Sequence, residues 1–163
     1  MLCHLHDPLG SVVAFIFASN LRILMKNINA YLTFNGNCRE AMNFYRDCLG
    51  GELALQSISE SPMAGKLPLT MQQHILHGSL TCGGITLLAS DMVGEKGLTR
   101  GNNISLMLDC SSEEEIRMLF GKLLQGGKIV HQLEHTFWGG MIGDLTDKFG
   151  NQWLLHYTNI KQH

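Results

Sequence analysis

The feature that most constrains this chain is that it says the same thing twice. The glycine pairs Gly50-Gly51 and Gly126-Gly127 stand 76 residues apart, Phe44 and Phe120 share that offset, and the candidate helix caps Asn37 and Ser112 stand 75 apart. The same punctuation at a fixed spacing marks one supersecondary unit used twice, each copy needing a neighbour to cover its apolar face. In the first copy Ile28, Ala30, Leu32 and Phe34 alternate with Asn29, Tyr31, Thr33 and Asn35, the period of a strand. Gly36 ends it. Asn37, with Glu40 three residues on, predicts a capped helix whose apolar stripe is Ala41, Phe44, Tyr45, Cys48 and Leu49. The glycine pair stops that helix, and Glu52 to Ile58 resumes as a strand.

The second copy reads as a strand from Asn103 to Asp109, a cap at Ser112 with Glu115 completing the box, and a stripe of Ile116, Leu119, Phe120, Leu123 and Leu124. Each copy closes with a hairpin. These are His74 to Thr81 with Ile85 to Ser90 across Cys82-Gly83-Gly84, and Gly140 to Thr146 with Asn151 to Tyr157 across Asp147 to Gly150. The fold class expected is α+β, two tandem β-α-β-β-β modules. Asp91 to Gly101 suits an exposed linker between them, and Ser59 to Gln73, with two prolines, reads as a mobile loop. Residues 1–25 lack caps and period and are read as an extension; the domain is 26–163, with modules at about 26–92 and 102–160.

Composition narrows the function classes. With 45% hydrophobic and 16% charged residues, net charge −2 and scattered arginines, no basic stripe exists to neutralise phosphates, so nucleic acid is not an expected partner. No apolar run reaches the roughly 20 residues that cross a bilayer, and no membrane partner is expected. Val12 to Ala18 follows Asp7 without a preceding Lys or Arg and is not read as an export signal. The five cysteines, Cys3, Cys38, Cys48, Cys82 and Cys110, form no C-x-x-C pair and read as reduced cytoplasmic thiols.

Two stretches carry a resemblance: Tyr31 to Ala41, and Thr136-Phe137-Trp138-Gly139 with Leu145-Thr146-Asp147-Lys148-Phe149-Gly150-Asn151-Gln152-Trp153. The doubled unit resembles the vicinal oxygen chelate superfamily (glyoxalase, bleomycin resistance, dioxygenase), and within it the PhnB-like branch, often labelled 3-demethylubiquinone-9 3-methyltransferase-like. The resemblance covers about Asn27 to Tyr157. It implies that the modules curl into a mixed sheet, that a homodimer forms, and that catalytic members hold a metal on four strand positions. Carried over, those positions are Ala30, Leu87, Asn103 and Leu154. A divalent cation needs three or four N, O or S ligands at about 2.0–2.6 Å, so neither a metal nor another cofactor is expected. Their neighbours Tyr31, Leu88, Ile104, Trp153 and Leu155 serve no better.

Strand parity places Leu32, Phe34, Ala89, Met107, Gln152 and the polar Asn103, Ser105 and His156 toward the cleft. The reading is a small-molecule ligand in a largely apolar cleft, bound by Phe34, Asn103, Ser105, Met107, Trp138 and His77, with activity unassigned. His156 is the candidate acid–base residue, because histidine's ordinary pKa near 6.5 suits proton transfer; it has no evident carboxylate partner in the sequence. The alternative is a metal- or His-dependent lyase, isomerase or oxygenase. Trp138, beside Gly139-Gly140, forms a cleft wall or else seals an edge or dimer seam. His131 and His135 have the i, i+4 spacing of a zinc pair on a helix, but the segment reads as strand and loop. Asp147 is read as setting the turn before Gly150. Phosphate-binding, dinucleotide and esterase loops are absent from the sequence, as is a glycine-rich strand-to-helix loop for S-adenosylmethionine.

Overall fold

The alternation beginning at Ile28 becomes a short strand, β1 (Ala30–Thr33), in the computed structural model, which describes residues 28–159. The extension read in residues 1–25 lies outside the described residues. Helix α1 (Cys38–Leu49) follows, then β2 (Glu52–Ser57), β3 (Ile75–Cys82) and β4 (Ile85–Ser90). The second copy runs β5 (Leu106–Cys110), α2 (Glu113–Leu123), β6 (Lys128–His135), β7 (Gly140–Thr146) and β8 (Gln152–Thr158). Each copy makes its own four-stranded mixed sheet, ordered β1-β4-β3-β2 and β5-β8-β7-β6. In each, the first and last strands run parallel and the other pairings are antiparallel. The sheets do not close into a barrel.

The repeat is most literal at its glycines. A side chain at Gly51 would strike the carbonyl of Thr81, and one at Gly127 the carbonyl of Thr146, the same relation in both modules. Only glycine lets the chain leaving each helix pass this close to the next strand's backbone.

The helix caps are not equivalent. Ser112 Oγ accepts from the Glu115 N–H at 3.1 Å, as its sequence predicts. The Glu115 carboxylate does not complete the box, however, and instead accepts from the Ser111 N–H at 2.7 Å and hydroxyl at 2.6 Å, bonds that hold its pKa below the ordinary value. At α1 the Asn37 side chain makes no capping bond. Its place is taken by Asp91, just beyond β4, whose Oδ1 accepts from the N–H groups of Gly36 (2.8 Å) and Cys38 (2.9 Å) while Oδ2 accepts from Ile75 N–H (2.8 Å). A buried carboxylate is a stronger acceptor than an amide oxygen, so the distant residue displaces the local one.

The modules join through aromatic side chains and one carboxylate. Tyr45 of α1 lies 5.9 Å from Phe149 and 5.5 Å from Trp153, centroid to centroid, and Phe34 meets Phe149 edge-on at 6.2 Å. Such pairs contribute about 0.5–1.5 kcal/mol each beyond their buried area. Asp147, 4% exposed, accepts from the Tyr45 hydroxyl (2.6 Å), Trp153 Nε1 (2.8 Å) and the N–H groups of Phe149 and Asn151 (2.9 Å each). It sets the turn, as expected, and also ties α1 of one module to β8 of the other. Burial and the neighbouring Asp147 push the Tyr45 pKa far up, so the phenol stays a donor.

One segment gains detail that its sequence reading lacked, and another departs from that reading. The stretch 59–73 carries 3₁₀ turns at Ile58–Glu60 and Leu69–Met71, and the Gln72 side-chain amide donates to Ala64 and Leu67 carbonyls at 2.9 and 3.0 Å. The strand expected from Asn103 starts only at Leu106, which leaves Asn103 and Ser105 exposed in the connection before it.

Candidate functional site

Both sheets bury one face against the helices and leave the other open. On the helix side of the first sheet lie Ala30, Leu32, Leu87 and Ala89, paired in register and packed in the core. The open side therefore carries Tyr31 opposite Leu88, then Ser79 and Ala54. The cleft assignment of Leu32, Phe34 and Ala89 is corrected by this register. Phe34 and Ala89 are fully buried, Phe34 among the aromatics that join the modules. The physical reason is that α1 needs the more apolar sheet face beneath its stripe, and Ala30, Leu32, Leu87 and Ala89 supply it where Tyr31 and Thr33 do not.

The second sheet is different. Parallel register sets Met107 beside Leu154 and Asp109 beside His156. Antiparallel register continues those rows to Asp144 and Ile142 on β7, and then to His131 and Glu134 on β6. Its open face thus reads Met107–Leu154–Asp144–His131 in one row and Asp109–His156–Ile142–Glu134 in the next. Each row holds one histidine–carboxylate pair. His156 Nδ1 lies 2.9 Å from Asp109 Oδ1, and His131 Nδ1 lies 2.6 Å from Asp144 Oδ1.

The His156 pair has a third member. Its Nε2 is 2.9 Å from Thr158 Oγ1. Because a carboxylate only accepts, the neutral ring carries its proton on Nδ1, and Nε2 is left with a lone pair that accepts from the threonine hydroxyl. The ring is 24% exposed and Asp109 76% exposed. An ion pair so open to water contributes at most about 1 kcal/mol to stability. Its consequence is therefore orientation of the ring more than cohesion of the fold.

The remaining sequence candidates are dispersed. Met107 and Gln152 face the open side with His156, and Met107 is 53% exposed. Ser105 Oγ is 3.5 Å from Gln152 Oε1, while Asn103 lies off the strand. His77 is exposed on β3 opposite Gln56, on the first sheet, apart from His156. Trp138 occupies the β6–β7 turn, 53% exposed and edge-on to Phe137 at 4.4 Å. That turn sits at the end of the sheet where Gly140 pairs with Thr158, and Trp138 lines none of the cavities considered below. Asp109 and Asp144 escaped the sequence reading. Asp109 was legible only through the pairing of β5 with β8, 47 residues apart.

The donor set does not suit the superfamily's metal. Of the four carried-over positions, Ala30 and Leu87 face the helices, Asn103 precedes the strand and Leu154 has no ligand atom. The open-face replacements in the first module, Tyr31 and Leu88, bring no histidine or carboxylate. Among the described residues no three His, Cys, Asp or Glu side chains converge as a metal site. His131 and His135 lie on β6, where i, i+4 residues do not share the geometry of a helix face.

This doubled architecture agrees with what known proteins show. A family model described as 3-demethylubiquinone-9 3-methyltransferase matches residues 26–156. The chain belongs to this family, the PhnB-like branch of the vicinal oxygen chelate superfamily. Protein YjdN of Escherichia coli strain K12 is 32% identical over 138 residues, 79% of this chain and 93% of that protein. The crystal structure of protein PA1353 from Pseudomonas aeruginosa is 35% identical with a TM-score of 0.72, covering 82% of this chain and 98% of that one. A putative 3-demethylubiquinone-9 3-methyltransferase, PhnB protein, from Bacillus cereus is 30% identical with a TM-score of 0.65, covering 82% and 100%. The PhnB-like family thus accounts for both modules. No helix among the described residues is long and apolar enough to cross a membrane.

Proposed function

We propose that this PhnB-like protein binds a small organic molecule against the open face of its second sheet, without a metal, and that His156 exchanges a proton with it. The observation that carries the reading is the chain Asp109 carboxylate, His156 ring, Thr158 hydroxyl. An oriented imidazole on an accessible face beside apolar Leu154 and Ile142 is the equipment of a general base. Asp109 fixes the tautomer. A ligand that displaces the Thr158 hydroxyl would meet the Nε2 lone pair directly. No step of methyl transfer is assigned, because these mixed sheets lack the doubly wound parallel edge at which nucleotide cofactors bind.

A homodimer fits the same surface. β1 and β5 are edge strands with unpaired backbone groups, and Tyr31, Ile104 and Met107 are exposed around them. A second copy covering these edges would turn an open face into a cleft. The free thiols Cys38, Cys48, Cys82 and Cys110 support a cytoplasmic location.

The test is deuterium exchange. A panel of small carbonyl compounds with acidic α-protons is incubated with the protein in D2O and followed by proton NMR. Exchange into at least one compound, abolished in His156→Ala and reduced about 10- to 100-fold in Asp109→Asn, is the expected result. Exchange that survives His156→Ala would remove the residue from the chemistry. Asp109→Asn is expected to unfold within about 0.5 kcal/mol of the parent, since Asp109 is exposed, and His156→Ala, whose ring is mostly covered, to lose about 1–2 kcal/mol.

A further inference from the structure

A cavity of about 310 Å³ lies where the two modules meet, bounded by Tyr31, Leu32 and Thr33 of β1, the linker residues Leu98 to Gly101, Ile104 and Leu106, and Gly150 to Gln152. We infer that it is a binding site for a small organic oxyanion, with Arg100 as the anion's partner. Its volume is at the lower end of small-molecule sites. Four further cavities on the described residues each include a carboxylate in their lining: Glu40 and Asp47 in one, Asp109 and Glu115 in another, Asp147 in a third, Glu134 and Asp144 in a fourth. This one includes none and holds a guanidinium.

Arg100 is held in place. Its Nη1 donates to Asn151 Oδ1 at 3.1 Å, and its side chain lies against Gly150, where an added Cβ would come within 3.2 Å of Arg100 Cδ and 3.3 Å of Nε. Asn151 is anchored in turn, its Nδ2 donating to the Tyr45 hydroxyl at 2.6 Å. Among the described residues no carboxylate forms an ion pair with Arg100. A guanidinium has five N–H donors in a planar fork, and among the described residues one of them is engaged. Tyr31, Thr33, Thr99 and Gln152 also line the cavity and bring hydroxyl and amide groups to it, the Gln152 Oε1 lying 3.5 Å from Ser105 Oγ. Leu32, Leu98, Ile104 and Leu106 complete the lining. The ligand this chemistry recognises has one anionic head and a short apolar body. Carboxylate and phosphonate heads both match the fork.

This site is separate from the His156 face, since His156 is not in its lining, and the inference stands without the acid–base reading. The full chain is titrated with benzoate, phenylphosphonate and the neutral isostere benzamide, and amide shifts are followed by nitrogen–proton NMR. The expected result is saturable shifts clustered at Thr33, Gly101 and Gln152 for one or both anions, with benzamide weaker by roughly tenfold or more. Arg100→Gln abolishes the anion response while His156→Ala and Asp109→Asn retain it. Tighter phenylphosphonate assigns a dianionic head, and tighter benzoate a carboxylate. Equal binding of benzamide, retention in an Arg100→Gln protein that melts like the parent, or no response to either anion would each overturn the proposal. Anion binding by a parent protein that catalyses no deuterium exchange would count against the His156 reading alone.

Discussion

On the first sheet the open face has Tyr31–Leu88–Ser79–Ala54 as its central row, without charge, and holds His77 and Glu52 at separate register positions to either side. On the second, the matching face carries two histidine–carboxylate pairs, His156 with Asp109 and His131 with Asp144. The helices, the glycine that follows each and the strand order are nevertheless the same in both. Duplication has therefore kept what builds the scaffold and left the open face free to diverge, since side chains pointing away from the helix support no packing. The first module contributes α1 and its aromatics to the joint core, and the second contributes the histidine–carboxylate pairs.

That contrast can be broken most forcefully at the bond between the modules. Asp147→Ala leaves two buried donors, the Tyr45 hydroxyl and Trp153 Nε1, without an acceptor. A loss of about 3–5 kcal/mol in urea unfolding is expected, with a single transition because the carboxylate serves both modules. Two transitions, only one of them shifted, would show modules that stand independently. The scaffold equivalence is sharpened next by Gly51→Ala and Gly127→Ala. Each forces a methyl against the following strand's carbonyl, and that clash is expected to cost about 1–3 kcal/mol in each, with Gly51→Ala the costlier because its φ of +91° also strains a non-glycine residue. A Gly127→Ala protein that loses nothing would mean that the repeat is resemblance in sequence without equal mechanical demand.

The joint core also has a pH signature. Tyr45 has a folded-state pKa raised well above 10 by burial and by Asp147. The folded chain then keeps a proton that the unfolded chain releases, so the stabilisation is complete below pH 10 and falls as pH rises past it. The expected slope from this group is about 1.4 kcal/mol per pH unit. In Tyr45→Phe that component of the alkaline loss disappears, which a comparison of urea midpoints from pH 9 to 11 would show. The smallest effects separate the caps. Ser112→Ala is expected to cost about 1 kcal/mol and Asn37→Ala less than about 0.5 kcal/mol, because only Ser112 makes its capping bond. Equal costs would show that Asp91 is not the effective cap of α1.

Much of this was legible from residues close in sequence. The two amphipathic stripes, the glycine stops and both hairpins required no knowledge of what lies opposite. The second-module cap at Ser112 was legible for the same reason, being satisfied three residues away. The first was not. Asn37 has the right chemistry at the right place, yet its side chain makes no capping bond and the helix start is held by Asp91, 53 residues beyond Cys38, whose N–H donates to it. Parity failed likewise in the first module, where Phe34 looks like a cleft aromatic until α1 claims that face of the sheet. Asn103 and Ser105 were assigned to a strand that begins at Leu106, because edge-strand ends depend on the partner strand for their hydrogen bonds.

By itself the sequence determined that there are two modules, of what order, and which residues turn or stop them, since those properties arise from interactions spanning a few positions. The tertiary structure alone decided which sheet face is open, that Asp91 rather than Asn37 caps α1, and that Asp109 stands beside His156. Each of these is a register between segments 47 or more residues apart, set by how the helix-facing side chains pack. No local propensity encodes it.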